Sequence, residues 1–90
     1  MVFYHGTTDI IPIEDNILLP ANITGIQRES RLKHIDVVFL TNSKCSAKKF
    51  ASKACFKYGG NPVVYECEPI GDVYHINTNE YICDNAYIIK

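Results

Sequence analysis

The sequence predicts an α+β domain: a compact, mostly antiparallel β core holding one main helix. Three observations carry this. Apolar runs of strand length recur along the chain, such as residues 37–40 (VVFL) and 86–89 (AYII). Convincing helical spacing occurs in one place, between Asn42-Ser43 and Gly59-Gly60. Turn-forming residues separate the runs. Ninety residues make one domain, residues 1–90, with material for a single modest core.

The elements follow in order. Residues 2–5 (VFYH) read as the first strand. After Thr7-Thr8-Asp9, Pro12 discourages a long helix in the mixed stretch IIPIEDNILLP, and residues 16–19 read as a short second strand. Residues 21–36 are the most polar part, with Gly25 and three basic residues, and read as a long loop of the kind that often carries function. Residues 37–41 form a buried-strand run. In the helix, Ala47, Phe50, Ala51, Ala54 and Tyr58 make one apolar face, while Lys44, Lys48, Lys49, Lys53 and Lys57 occupy the other. Asn42 or Ser43 caps its start and Gly59-Gly60 ends it. Pro62 opens a strand over residues 63–67, and Glu68-Pro69-Ile70-Gly71 reads as a turn. Residues 72–76 alternate as another strand, NTNE is a polar turn, and residues 81–89 supply one or two last strands.

Composition excludes several classes. The 47% apolar and 21% charged fractions suit an ordinary globule. No apolar run approaches the roughly 18 residues that span a bilayer. The start MVFYHGTTDI shows no basic segment ahead of a long apolar stretch, so no signal peptide, no membrane partner and a cytoplasmic location are expected. A net charge of −1 gives no case for wholesale nucleic-acid binding. Cys45, Cys55, Cys67 and Cys83 form no CxxC pair and no zinc-ligand spacing, so free, mostly structural thiols and no metal are expected.

Three spots carry chemistry: Tyr4-His5-Gly6-Thr7, residues 38–41 (VFLT) just before the helix, and residues 78–82 (TNEYI). A strand-end histidine, an aromatic at a strand–helix junction and a late glutamate resemble the ADP-ribosyltransferase fold in its histidine–tyrosine–glutamate branch. YHGT, the strand and helix that follow, and residues 65–71 (YECEPIG) are similar to the small rifamycin ADP-ribosyltransferases. Residues 79–84 (NEYICD) are similar to the glutamate strand of poly(ADP-ribose) polymerases. The resemblance runs in order from residue 3 to residue 90.

The resemblance implies NAD as co-substrate and a mono-ADP-ribosyltransferase acting on a protein, nucleic acid or small molecule. Size and composition would suit a bacterial or phage effector or anti-defence protein. Glu80 is the catalytic candidate. A carboxylate that binds the ribose hydroxyl and faces the developing oxocarbenium charge stabilises the transition state more than the ground state. His5 is the second, implied to contact a ribose hydroxyl. Gly6 and Thr7 with it, and Phe39 and Thr41 across from them, are the cofactor-binding candidates: Gly6 for close backbone approach, Phe39 for stacking on nicotinamide, Thr41 for a hydroxyl. Phe39 stands where the family has tyrosine, which favours NAD binding over full turnover. Thr78, two residues before Glu80, argues against arginine as acceptor. Asp72 is the fallback carboxylate.

Two other functions stay open. An RNA 2′-phosphotransferase of the same fold would use the lysine face against RNA, with Arg28, Arg31 and Lys33 near the phosphate. A catalytically silent module would bind NAD, ADP-ribose or a protein partner without releasing nicotinamide. Without the resemblance, His5 is a strand-end residue bonded to a nearby carbonyl, Phe39 is core, Glu80 is a turn acid and the lysines are a solvated face.

Overall fold

The computed structural model describes residues 2–11, 13, 15–20 and 37–90. Strand β1 runs Phe3–Thr8, β2 is Ile17–Leu18, β3 is Val38–Thr41, helix α1 is Lys44–Tyr58, β4 is Pro62–His75 and β5 is Glu80–Ile88. Among the described residues the α+β expectation, one main helix on a mostly antiparallel sheet, is met. The polar loop expected over residues 21–36, with Arg28, Arg31 and Lys33, lies outside the described residues, as does Pro12.

Among the described residues all strand pairings are antiparallel. The order is β2-β5-β3-β1-β4, and β4 also pairs with β5, so β5, β3, β1 and β4 close a small barrel-like ring. Strand β4 makes this closure possible. Its first part pairs with β1, from Thr8 opposite Pro62 to Phe3 opposite Cys67. Its later part pairs with β5, from Cys67 opposite Ile88 to His75 opposite Tyr81. The expected turn at Glu68-Pro69-Ile70-Gly71 is therefore not a turn. The chain runs straight through it, and the ladder absorbs a register shift between Ile70 and Val73. Gly71, at φ 80°, takes the backbone shape that the bulge needs and that a side chain disfavours. The real reversal is Asn77 to Asn79, within the expected polar turn NTNE.

Side-chain alternation fixes two faces. Phe3, His5 and Thr7 share a face with Cys67, Tyr65 and Val63, because these residues stand opposite one another. That face is inward: Phe3, Val38, Leu40, Cys67, Tyr81 and Cys83 form the core with Leu18 and Ala86. The ring of Phe3 meets Tyr81 edge-on with centroids 5.0 Å apart. Cys67 and Cys83 are free thiols in this core, and burial pushes them up to about 12 and about 11.

The other face of β1 carries Tyr4, Gly6 and Thr8, and there α1 packs. Ala47 and Ala51 have no exposed surface. Ser43 caps the helix by accepting from the Ser46 N–H at 3.2 Å, and Gly59 ends it at φ 88° with its N–H on the Cys55 carbonyl at 2.8 Å. Helix and sheet approach so closely that a Cβ on Gly6 would stand 1.8 Å from the Ala47 carbonyl oxygen. The obstacle is helix backbone, which no rotamer change relieves. Gly6→Ala is expected to cost about 3 kcal/mol and lower the thermal midpoint by roughly 10–20 °C. Calorimetric unfolding of the two proteins checks this, and an unchanged midpoint would mean that α1 does not seat on β1 as described.

Candidate functional site

Glu80, Thr41 and Tyr4 lie in one row across the sheet, with Thr41 opposite Tyr4 on β1 and opposite Glu80 on β5. Phe39, two residues before Thr41, shares their face and stands opposite Ile82. Gly6, two residues after Tyr4, belongs to the same face. Four of the candidates, Glu80, Thr41, Phe39 and Gly6, are therefore gathered on the side of the sheet that meets α1. Strand order does this: β5, β3 and β1 are consecutive neighbours although residues 9 to 37 and 42 to 79 separate them in sequence.

His5 and Thr7 stand on the opposite, inward face. Thr7 is 3% exposed. The His5 ring is half-buried, and its Nδ1 lies 2.7 Å from the Phe39 carbonyl oxygen, the bond of a neutral imidazole donating from Nδ1 and leaving Nε2 as acceptor. Burial lowers the His5 pKa below its ordinary value, and the Phe39 carbonyl only partly opposes this. This is the carbonyl-bonded, strand-end geometry that His5 has when read without any family in mind. Through it, His5 ties β1 to the backbone of the residue whose ring is on the far face.

Each candidate has a different degree of access. Thr41 is fully buried and its Oγ accepts from the Ser43 N–H at 3.1 Å, so its hydroxyl organises the entry to α1. The Cα side of Gly6 is covered by Ala47 and Ala51. Phe39 and Glu80 are half-buried. Glu80 sits at the first position of β5, directly after the hairpin turn. Its N–H donates to Asn77 Oδ1 at 3.1 Å, and its carbonyl accepts from the Ile76 N–H at 3.0 Å. Asn77 Oδ1 also accepts from the Asn79 N–H at 3.2 Å. Asn77 thus fixes the turn that presents Glu80. Sequence reasoning did not single it out, although an asparagine opening NTNE is the signal for such a side-chain-to-backbone turn.

The fallback carboxylate, Asp72, is exposed in the bulge of β4 and away from this row. His75 is exposed and stacks on Tyr81, centroids 4.5 Å apart. Among the described residues no group of three or more His, Cys, Asp or Glu side chains is placed to hold a metal ion. Likewise, no helix among them is long and apolar enough to cross a membrane.

No protein-family model matches this chain, and neither a curated protein nor a solved structure does.

The His5 geometry has a pH consequence. The folded pKa is depressed, so the folded state holds this proton less tightly than the unfolded chain does. The associated stability is present above the unfolded value of about 6.5 and is lost as pH falls through the lower folded value. Thermal midpoints measured from about pH 7.5 down to about pH 5 should fall more steeply in wild type than in His5→Asn. An NMR titration placing the His5 ring at or above the ordinary value would contradict the buried, neutral imidazole.

Proposed function

We propose that the chain is an NAD-dependent mono-ADP-ribosyltransferase whose reacting carboxylate is Glu80. What supports this reading is one observation: Glu80 and Phe39 are half-buried on the same face, on adjacent strands, next to the strand that carries the YHGT motif. In the reaction the bond between the ribose C1′ and the nicotinamide nitrogen breaks, its electron pair leaves with nicotinamide, and an acceptor atom bonds to C1′ and sheds its proton. Glu80 would accept a hydrogen bond from a ribose hydroxyl and face the positive charge that develops at C1′. Phe39 offers a ring without a hydroxyl, suited to stacking and to no proton transfer.

The roles of the remaining candidates follow from where they stand. His5 acts as a positioning residue: its bond to the Phe39 carbonyl sets β3 against β1. Thr41 acts through the Ser43 N–H and shapes the start of α1. Gly6 and Thr7 serve packing. A second reading, a silent module that binds nucleotide without turnover, is favoured by the same facts, since Thr41 and the Cα side of Gly6 leave little polar surface for the nicotinamide amide.

Nicotinamide release from NAD, measured with purified protein in host-cell lysate, tests the reading. Glu80→Gln keeps the shape of the side chain and is expected to lower release about 10²- to 10³-fold. His5→Asn should lower it less and also reduce the thermal midpoint, which an isosteric loss of charge at Glu80 does not require. Release that survives Glu80→Gln, or none from wild type, would sink the transferase reading. In the second case calorimetric binding of NAD would establish the silent module.

A further inference from the structure

We infer that the outer face of α1 is a docking surface for single-stranded nucleic acid, with Phe56 as the platform for an unpaired base and Lys48, Lys49 and Lys53 as its phosphate contacts. The surface lies on the side of α1 away from Gly6, and the inference does not rest on the transferase reading.

Charge is the first observation. The chain is nearly neutral, yet α1 carries five lysines and no acidic residue, out of nine basic and ten acidic residues in all. The helix is therefore strongly positive while the remainder is acidic. This arrangement works against helix stability. Lys44-Lys48, Lys49-Lys53 and Lys53-Lys57 are like-charge pairs at i,i+4, each unfavourable by about 0.2–0.5 kcal/mol. Lys44 also lies in the first turn, where the helix dipole disfavours a cation, and no acidic residue offsets it there. A polyanion lying along the helix relieves both penalties.

An exposed aromatic at the C-terminal end of this charge is the second. Phe56 is 96% exposed, far more than any other large hydrophobic side chain among the described residues. At i+3 from Lys53 and i+7 from Lys49 it shares their stripe, opposite the stripe of Ala47 and Ala51 that seats on the sheet. Lysines leading up to a bare ring provide the two components of single-strand binding: backbone neutralisation and a stacking face that any base can use. Other occupants fit less well. A second copy docked face to face would bring one lysine face against another. A membrane would gain only one aromatic from this side, since the apolar stripe is already buried. A duplex keeps its bases stacked on each other and out of reach of Phe56.

Fluorescence anisotropy of the intact chain with fluorescein-labelled oligothymidylate and oligouridylate of about 20 nucleotides tests the inference. Three neutralised phosphates predict a log–log salt slope of about −2, hence roughly 20-fold weaker binding for a fourfold rise in salt. Lys49→Glu with Lys53→Glu should weaken binding at least about tenfold and flatten that slope. Phe56→Ala should weaken it about five- to tenfold or more, and Phe56→Trp should preserve it. Because the chain contains no other tryptophan, quenching of Trp fluorescence in that variant by oligothymidylate reports stacking at this one position. Four outcomes would overturn the inference: no binding by wild type, no loss in Phe56→Ala, equal binding of a duplex or of polyglutamate, or capture by phosphatidylserine vesicles without binding to the oligonucleotides. None of these bears on nicotinamide release, so the two readings fail separately.

Discussion

The rest of the structure depends on the contact between the bare Cα of Gly6 and the backbone of α1 at Ala47 and Ala51. A side chain at Gly6, or larger residues at Ala47 and Ala51, would lift the helix off the sheet by more than the neighbours could fill. The close seat turns α1 into the wall of one face and leaves the opposite face to be closed by the ring of strands. It also sets which way everything on β1 points. Once Gly6 must face the helix, His5 must face the core, and the rows on β3 and β5 inherit the same division through their register. One steric requirement therefore sorts His5 from Glu80.

Much of the architecture was legible in the residues. The spacing of Ala47, Phe50, Ala51, Ala54 and Tyr58 defines the helix, Ser43 and Gly59 bound it, and residues 38–41 form a strand because four consecutive residues are apolar or β-branched. These signals are local, which is why they can be read from sequence. The failures come where a local signal is overruled by a distant partner. Pro69 and Gly71 are turn residues by chemistry, yet here they lie in one strand, because β5 takes over as ladder partner where β1 ends, at Cys67, and carries the strand on through a bulge. Gly6 looks like a place where a ligand approaches the backbone, and the thing that approaches is a helix.

The candidate site was legible in part. The motifs and their order along the chain were legible; that their three strands stand side by side is set by the pairings of β3 with β1 and with β5. Which face each side chain takes was not legible, since a shift of one residue in register reverses every assignment and nothing in a single strand reveals its partner's register. His5 shows the gain from keeping the plain reading beside the sharp one: a strand-end histidine bonded to a carbonyl is what stands there, and that bond links two strands of the proposed site.

The double pairing of β4 has a consequence for the order in which the molecule can be made. Strand β1 leaves the ribosome before the other described strands, yet its long ladder partner begins at Pro62, more than fifty residues later. At about 5–20 residues per second the nascent first strand waits on the order of several seconds before that partner exists. Over that interval the edge of β1 that β4 will cover has no ladder partner, and α1 and the short contact at Thr41 are what lie against the strand. The β4–β5 hairpin, by contrast, can zip as soon as it is synthesised. The strand that bears the histidine motif is thus finished early and paired late, and a newborn molecule exposes its open edge to chaperones and proteases in the interval.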